Sequence, residues 1–177
     1  MKETYKIRHA QASDIDRVNE IYENILAQGE RGKDVVGWVR GVYPTRDTAG
    51  AALDRGDLFV YEEGERVEAA GIINQKQMDS YAQAAWTIPA LPDQVMVLHT
   101  LVVDPAASGR GIAHAFVGFY EQYAKEAGCK VLRIDTQEKN KPARSLYRKL
   151  GFHEADVIPC DFNGIPGISL VLLEKEL

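Results

Sequence analysis

A glycine-rich turn that follows an apolar segment is the part of the sequence best suited to binding an anion. Residues 97–103 are mostly apolar, and the turn after them ends in the run Ser108-Gly109-Arg110-Gly111-Ile112-Ala113. Glycines let the backbone approach a ligand closely, and the first N–H groups of a helix have no partners inside that helix. Arg110 adds a positive charge. The pattern predicts a phosphate-binding turn, with a plain tight turn as the alternative.

The turn does not match the two common nucleotide-binding motifs. No GxxxxGK[ST] segment occurs, which excludes a Walker A loop. A dinucleotide motif needs a third small residue where helix and strand pack closely, and His114 stands at that position. Asp135, at the end of the next predicted strand, is the one residue that favours a nucleotide-binding oxidoreductase. That alternative therefore stays open at this point.

A second segment places a tyrosine on the same side of a short helix as the residue that precedes the helix. Asn140 comes before a helix predicted over residues 142–150, and Tyr147 lies two turns along it. A phenol in that position can donate a proton to a leaving thiolate. The spacing equally fits a core stripe that includes Ala143, Leu146 and Tyr147, and spacing alone favours the stripe.

Strands and helices must alternate to position these two segments. Apolar alternation and helical spacing predict strands at residues 4–8, 57–62, 66–74, 95–103, 130–135, 152–158 and 168–175. Helices are predicted after an N-cap at Ser13 and over residues 45–56, 111–127 and 142–150. Residues 75–92 contain few charges and several helix breakers, which predicts a loop packed partly on the core. The pattern is typical of an α/β fold with a mixed sheet.

Length, charge and cysteine content narrow the class of protein. The 177 residues predict a single domain over residues 1–177, and a net charge of −5 disfavours nucleic-acid binding through a broad basic surface. Cys129 and Cys160 are too far apart for a CxxC motif, which favours the reduced cytoplasm. The first six residues lack the apolar core of a signal peptide, and no apolar run has the length of a membrane span. The histidines show no metal-ligand spacing, so we expect no metal.

Taken together, the two segments resemble the shared core of the GNAT N-acetyltransferase superfamily. In that family the motif R/Q-x-x-G-x-G/A binds the CoA pyrophosphate. A later motif, N-x-x-A-x-x-L-Y-x-x-x-G-F, contacts pantetheine and presents a tyrosine to the CoA sulfur. The later motif matches here at Asn140, Ala143, Leu146, Tyr147, Gly151 and Phe152. The first motif departs at Ser108, where the family usually has Arg or Gln, so that side-chain contact is shortened or lost. The order of predicted elements fits over nearly the whole chain.

The resemblance implies the fold, the co-substrate and the residues that hold it. The fold implied is the GNAT acyl-CoA N-acyltransferase fold, a mixed central sheet of about seven strands with flanking helices. Acetyl-CoA is the implied acetyl donor, and transfer is direct to a primary amine. The strand over residues 95–103 is expected to separate from its neighbour near residues 101–103 and bind pantetheine. The residues implied to bind the co-substrate are Leu101, Val102, Val103, Gly109, Arg110, Gly111, Ile112, Ala113 and Asn140.

The catalytic roles implied by the resemblance fall on two side chains. Tyr147 is expected to protonate the leaving thiolate, and His99 is a candidate base because some family members that acetylate aromatic amines carry histidines on this strand. A buried, hydrogen-bonded core histidine is an equally weighted alternative. We expect residues 28–38 and the loop 81–86 to line the acceptor site. The acceptor itself is not specified, a homodimer is left open, and a non-catalytic CoA-binding or regulatory module is the alternative function.

Overall fold

The computed structural model describes residues 4–177, so half of the segment tested for a signal peptide, Met1 to Glu3, lies outside the described residues. The strands are β1 (Tyr5–His9), β2 (Leu58–Glu63), β3 (Arg66–Asn74), β4 (Val95–Val103), β5 (Val131–Gln137), β6 (His153–Phe162) and β7 (Ile165–Glu176). The helices are α1 (Ile15–Gln28), α2 (Arg46–Arg55), α3 (Ile112–Glu126) and α4 (Lys141–Lys149). No helix among the described residues is both long and apolar enough to cross a membrane.

The seven strands form one sheet in the order β1-β2-β3-β4-β5-β7-β6. β4 and β5 pair in parallel, and every other neighbouring pair is antiparallel. A parallel pair needs a long crossover, which α3 supplies between β4 and β5. The sheet and its flanking helices confirm the predicted mixed α/β fold, and the parallel pair lies at its centre.

The first helix begins one residue later than the sequence predicts. Residues Ala12–Asp14 form a short 3₁₀ turn, and α1 follows from Ile15. The carboxylate of Asp14 accepts the backbone N–H of Gln11 at 2.7 Å. This bond caps the 3₁₀ turn from its third residue, and the N-cap position of α1 is Asp14, whose side chain makes no cap bond to α1. The predicted N-cap at Ser13 is therefore wrong, because Ser13 belongs to the 3₁₀ turn that precedes the α-helix.

The last two strands are longer than predicted because the turn between them is tighter. Only Asn163 and Gly164 connect β6 to β7, and their φ angles are 48° and 86°. Two residues with positive φ are typical of a type I′ hairpin, whose twist matches that of the flanking strands. The strands therefore continue into residues that the sequence pattern places in the turn.

The sheet is covered on both faces, and the loop before β4 adds a third apolar cluster. α1 and α2 pack on one face around Tyr22, and α3 and α4 pack on the other around Phe116. Tyr81 anchors the loop of residues 75–94 against β4, β5 and β7. This agrees with the prediction that the loop packs partly on the core. The central strands are thus held firmly at one end.

Candidate active site

The parallel strands at the centre of the sheet separate halfway along their length. Pairing between β4 and β5 ends at Leu98 and Ile134. Beyond that point β4 continues to Val103 beside β3, and β5 continues to Gln137 beside β7. The backbone edges of both strands are therefore left open toward each other. This is the separation that the resemblance implies.

A bulge in β4 accompanies the separation. The register between β3 and β4 shifts so that Gly71 alone faces both Thr100 and Leu101, and Thr100 has a φ of 50°. A bulge inserts one extra residue, bends its strand and redirects side chains. A Cβ at Gly71 would lie 2.7 Å from the ring of Phe116, so glycine is needed for α3 to pack against the sheet here. The bulge directs Thr100 and Leu101 toward the opening.

The glycine-rich turn forms an open cradle at the start of α3. Gly109 and Gly111 have φ angles of 79° and 78°, and Gly111 is the N-cap of the helix. The first backbone bond that returns to this cap is donated by Ala115, so the N–H groups of Ile112 and Ala113 have no helical partner. Apart from the glycines themselves and the residues next to them in the chain, no heavy atom of residues 4–177 lies within 4 Å of a Cβ placed on either glycine. The residues present therefore leave room for a phosphate at unpartnered N–H groups.

Two side chains beside the cradle differ from what the motif suggests. The guanidinium of Arg110 forms an ion pair with Glu63 and lies 3.8 Å from a carboxylate oxygen of Glu68. A phosphate must therefore compete with these carboxylates for Arg110. His114 lines the open space together with Val103, although no motif marked it. Its position in the first turn of α3 was the only available signal.

The opening between β4 and β5 is a cavity lined by several of the expected residues. Leu101, Asn140 and Tyr147 all line it, and Val36 and Trp38 close another side. The side-chain oxygen of Asn140 also caps α4, accepting the N–H of Ala143 at 3.3 Å. Asn140 therefore has a structural role in addition to its place beside the cavity.

Tyr147 presents its hydroxyl to the cavity. The residue is 5% exposed, and its ring packs against Phe152 with centroids 5.9 Å apart. No residue among positions 4–177 accepts a hydrogen bond from its hydroxyl. Burial raises the pKa of Tyr147 above its ordinary value, and the nearby charge of Asp135 adds to the effect. The phenol therefore stays protonated and is available as a donor.

His99 lies in a second cavity that adjoins the first. The two cavities share the wall formed by Tyr43, Thr100 and Asp135. Two cationic side chains, Arg55 and Lys76, line the second cavity together with His99. The structure therefore places the two expected catalytic residues on opposite sides of a common wall.

Hydrogen bonds determine which ring nitrogen of His99 carries the proton, and burial determines its charge. Asn74 donates its amide to Asp57 at 2.9 Å, and its carbonyl oxygen accepts the N–H of Lys76 at 3.0 Å. The same oxygen lies 2.9 Å from Nε2 of His99, so this nitrogen must carry the proton. Burial lowers the pKa of His99 to about 4, against the opposing effect of the Lys76 backbone carbonyl. The imidazole is therefore neutral at pH 7.

Of the two segments expected to line the acceptor site, residues 28–38 contribute to the first cavity and residues 81–86 contribute to neither cavity. Trp38 lines the first cavity, in a T-shaped contact with Tyr43 at a centroid distance of 6.0 Å. Trp86 does not line either cavity. Its ring lies 4.1 Å from the guanidinium of Arg133, and its indole N–H donates to the backbone carbonyl of Tyr81 at 2.8 Å. The expectation that Trp86 forms a wall of the site is therefore wrong, because its ring packs on the core-facing side of the loop.

Asp135 is the side chain in this region whose role the sequence did not indicate. It follows Ile134, the last paired residue of β5, and lines both cavities. Sequence reasoning used it only as a point in favour of nucleotide binding. For metals, the structure offers no group of three or more His, Cys, Asp or Glu side chains within residues 4–177.

Comparison with known proteins gives a family and close structural relatives. Residues 4–152 match the model of the acetyltransferase (GNAT) family. The chain is 35% identical over 65 residues to an uncharacterized N-acetyltransferase of Methanocaldococcus jannaschii, covering 37% of this chain and 29% of that protein. It is 32% identical over 69 residues to streptothricin acetyltransferase of Escherichia coli, covering 39% of this chain and 36% of that protein. The matched segments thus span well under half the length of these curated relatives.

Solved structures share the fold over almost the whole chain. A GNAT-family acetyltransferase of Streptococcus agalactiae superposes with a TM-score of 0.80 at 21% identity, covering 98% of this chain and 95% of that one. YncA of Salmonella typhimurium, solved with its cofactor acetyl-CoA, has a TM-score of 0.71 at 17% identity, covering 98% of this chain and 94% of that one. At these identities the likeness concerns the fold alone.

Proposed function

We propose that this chain, which belongs to the acetyltransferase (GNAT) family, transfers an acetyl group from acetyl-CoA directly to a primary amine. The observation that carries the proposal is the continuity between two features. The unpartnered N–H groups at the start of α3 adjoin Val103, and the cavity where β4 and β5 separate begins at Leu101 on the same strand. Leu146 of α4 lines the space beside the start of α3, and the next residue, Tyr147, lines the cavity between β4 and β5.

The arrangement suits an extended ligand with a phosphate part and a reactive end. The pyrophosphate of CoA would lie on the backbone of Gly109, Gly111, Ile112 and Ala113, with Arg110 nearby. The pantetheine arm would follow the open edge of β4 from Val103 to Leu101, beside Asn140. The thioester would then reach the cavity that Tyr147 lines. A helix N-terminus contributes only about 0.3–2 kcal/mol, so most of the affinity must come from these further contacts.

The open edge of β4 and the phenol of Tyr147 supply the two polar groups that acyl transfer requires. A backbone N–H of Val102 or Val103 would polarise the thioester carbonyl and stabilise the developing oxyanion. Tyr147 would then donate its proton to the departing thiolate. An unperturbed phenol and thiol differ in pKa by about 1.5 units, which costs about 2 kcal/mol. Burial raises the pKa of Tyr147, so the cost in the empty site is larger, and a developing thiolate beside the phenol must supply the difference by accepting its hydrogen bond.

Deprotonation of the acceptor is the harder step. A lysine-like ammonium with a pKa of about 10.4 must lose a proton at a cost of about 4.6 kcal/mol at pH 7. His99 is neutral and lies one wall away from the reaction cavity. We propose it as a base that acts through water, and its low pKa makes it a weak one.

A thioester-cleavage assay over a panel of amines tests the proposed function. The protein is mixed with acetyl-CoA and each amine, released thiol is measured, and the acetylated product is identified by mass spectrometry. We expect at least one amine to give product in equal amount to the released thiol. Binding of acetyl-CoA without turnover of any amine would instead support a non-catalytic CoA-binding module.

Two finer points are proposals of the same kind. A cytoplasmic location is proposed because Cys129 and Cys160 are both free thiols. Localisation of a fluorescent fusion tests the first point. The second point is a possible homodimer, and light scattering of the purified chain distinguishes it from a monomer.

A further inference from the structure

Asp135 is a partly buried carboxylate that has one hydrogen-bond partner within residues 4–177. The hydroxyl of Tyr81 donates to its Oδ2 at 2.6 Å. Its other oxygen has no protein donor within residues 4–177, and no lysine, arginine or histidine of that range forms an ion pair with it. The carboxylate faces the cavity between β4 and β5 and the adjoining cavity. It is therefore half-satisfied at the place where the thioester is expected to react.

A carboxylate in this state is stabilised by a ligand that brings a positive charge. Taking an ion partly out of water raises its free energy, and an opposite charge offsets that rise. The nearest cation along the strand, Arg133, is occupied elsewhere. Its guanidinium stacks on Trp86 and donates to the side chain of Gln77 at 2.5 Å. Arg55 and Lys76 line the adjoining cavity, but neither forms an ion pair with Asp135, so the carboxylate has no cationic partner within residues 4–177.

The walls around Asp135 suit an organic ammonium ion better than a metal ion. The aromatic rings of Trp38, Tyr43 and Phe162 line the first cavity, and the ring of Tyr43 makes edge contacts with the other two. Aromatic faces attract cations and bury the attached carbon chain. A metal would need several more oxygen or nitrogen ligands, and no group of three such side chains occurs within residues 4–177.

We propose that Asp135 binds the ammonium group of the acceptor in this cavity and accepts the proton that must leave before the amine attacks. This inference rests on the proposed acetyl transfer and specifies its acceptor as an amine that is cationic when it binds. Tyr81 holds the carboxylate through Oδ2 and leaves Oδ1 for the ligand. The aromatic residues Trp38, Tyr43 and Phe162 enclose the carbon chain next to the amine.

The proton and electron balance of the reaction closes with these groups. One proton of R–NH₃⁺ passes to Asp135, and the freed nitrogen lone pair attacks the thioester carbonyl to form the C–N bond. The C–S bond then breaks, and the thiolate takes the proton of Tyr147. The second proton lost by the nitrogen restores the Tyr147 phenol, through water. Asp135 releases its proton to solvent after the amide leaves, so the net products are the amide, free CoA and one proton.

The charge environment of Asp135 agrees with a role as proton acceptor near neutral pH. Burial raises the pKa of Asp135 to about 6, and the hydrogen bond from Tyr81 opposes this rise. Four of the titratable groups that face it are Tyr81 from the loop before β4, Tyr43 from the loop before α2, Tyr147 from α4 and Cys160 from β6, and all four are neutral at pH 7 because the pKa of each is raised. In the adjoining cavity Asp135 shares the lining with neutral His99 and with Arg55 and Lys76, neither of which forms an ion pair with it. A base with this pKa is better matched to pH 7 than His99.

Calorimetry with a cationic probe and its neutral isostere tests the inference. Benzylamine, which is charged at pH 8, and benzyl alcohol are each titrated into the protein saturated with CoA. We expect benzylamine to bind the natural protein about 10- to 100-fold more tightly than benzyl alcohol, as a hydrogen bond to a charged group predicts. Asp135→Asn should abolish that difference and leave the affinity for benzyl alcohol unchanged.

The control variant removes the same charge from the neighbouring surface. Asp161 on β6 is exposed, so Asp161→Asn should leave both affinities unchanged. Equal affinity of the natural protein for the two probes, no binding of either probe, or a preserved preference in Asp135→Asn would overturn the inference. The affinity for acetyl-CoA is measured separately in every variant. If the natural protein does not bind acetyl-CoA, that result contradicts the proposed function itself rather than the role of Asp135.

Discussion

Leu98 of β4 pairs with Ile134 of β5, and the two residues form the last pair between these strands. His99 follows Leu98 on one strand, and Asp135 follows Ile134 on the other. The separation of the strands thus begins between the two candidate proton acceptors. It opens the cavity that Tyr147 lines and directs the side chain of Asp135 into it.

A charge at Ala113 should separate binding at the cradle from effects on folding. Ala113 lies in the first turn of α3 and lines the open space beside the two glycines. Ala113→Glu puts a negative charge where a phosphate is expected, and Ala113→Gln adds the same bulk without the charge. An anion near a helix N-terminus does not destabilise the helix. We therefore predict that calorimetry will show at least about tenfold weaker acetyl-CoA binding for Ala113→Glu than for Ala113→Gln. Equal affinities would place the pyrophosphate elsewhere.

Tyr147→Phe should lower the rate of the chemical step and leave binding intact. The substitution keeps the ring that packs against Phe152 and removes only the hydroxyl that faces the cavity. General acid catalysis contributes about 10²–10⁴-fold, so kcat should fall within that range. The acetyl-CoA affinity and the thermal stability should change little. If the variant keeps a normal kcat while chemistry limits the rate, then Tyr147 is only a packing residue.

The dependence of kcat/KM on pH should distinguish the two candidate bases. A base must be deprotonated to act, so the rate constant rises as pH increases through the pKa of that base. A rise centred at about pH 6 would indicate Asp135, whereas a rise near pH 4 would indicate His99. We predict the rise near pH 6, its loss in Asp135→Asn and its retention in His99→Gln. The reverse pattern would assign the base to His99.

Asp135→Asn should make the protein more stable at neutral pH although it impairs the reaction. The folded-state pKa of Asp135, about 6, lies above the ordinary value of 3.8, so the folded state binds the proton more strongly. The free energy of unfolding therefore falls as pH rises from about 4 to about 6, and the loss is complete above that range. Converted at 1.36 kcal/mol per unit, the penalty is about 3 kcal/mol. Denaturant unfolding at pH 8 should show the variant to be more stable, with no difference below pH 4.

Several features of the site follow directly from local sequence patterns. Gly109 and Gly111 adopt positive φ because only a residue without a Cβ does so at low cost, and this local rule identifies the cradle. The bounds of β4 also agree with the apolar run of residues 95–103. The motif residues Asn140 and Tyr147 lie beside the cavity because their helical spacing is likewise a local property.

Other features depend on contacts between distant segments and could not be predicted. Tyr81 and Asp135 meet although 54 residues separate them, and their meeting depends on the order of the sheet and on the path of the loop before β4. Trp86 was placed in the acceptor site because it is aromatic and uncharged, but it packs on Arg133 instead. Neither the contact between Tyr81 and Asp135 nor the packing of Trp86 can be predicted from residue spacing or composition. The positions of these side chains depend on strand pairing and on the path of the loop, and not on residue type alone.

Substitution of Trp38 and of Trp86 tests which of the two tryptophans lines the acceptor site. Trp38 lines the reaction cavity, whereas Trp86 holds the backbone of Tyr81 from outside it. Trp38→Ala should raise the KM for the amine and also lower the free energy of unfolding, because its ring packs on the cluster under α1 and α2 as well as lining the cavity. Trp86→Ala should lower the free energy of unfolding, because it removes an aromatic ring packed on Arg133 and Tyr81, and should leave the KM for the amine unchanged. Steady-state kinetics and chemical denaturation measure the two effects, and an exchange of the two results would refute the assignment.

Transfer of labelled acetyl groups tests the central claim of acetyl transfer to an amine most directly. Acetyl-CoA carrying ¹³C in its acetyl group is incubated with the protein and the amine that the panel identifies as the best acceptor. Mass spectrometry then follows the amine and the intact protein through a single turnover. We predict that the label appears in the amine in equal amount to the released CoA and that the mass of the protein does not change. Release of CoA without a labelled amine, or a protein transiently heavier by one acetyl group, would contradict direct transfer.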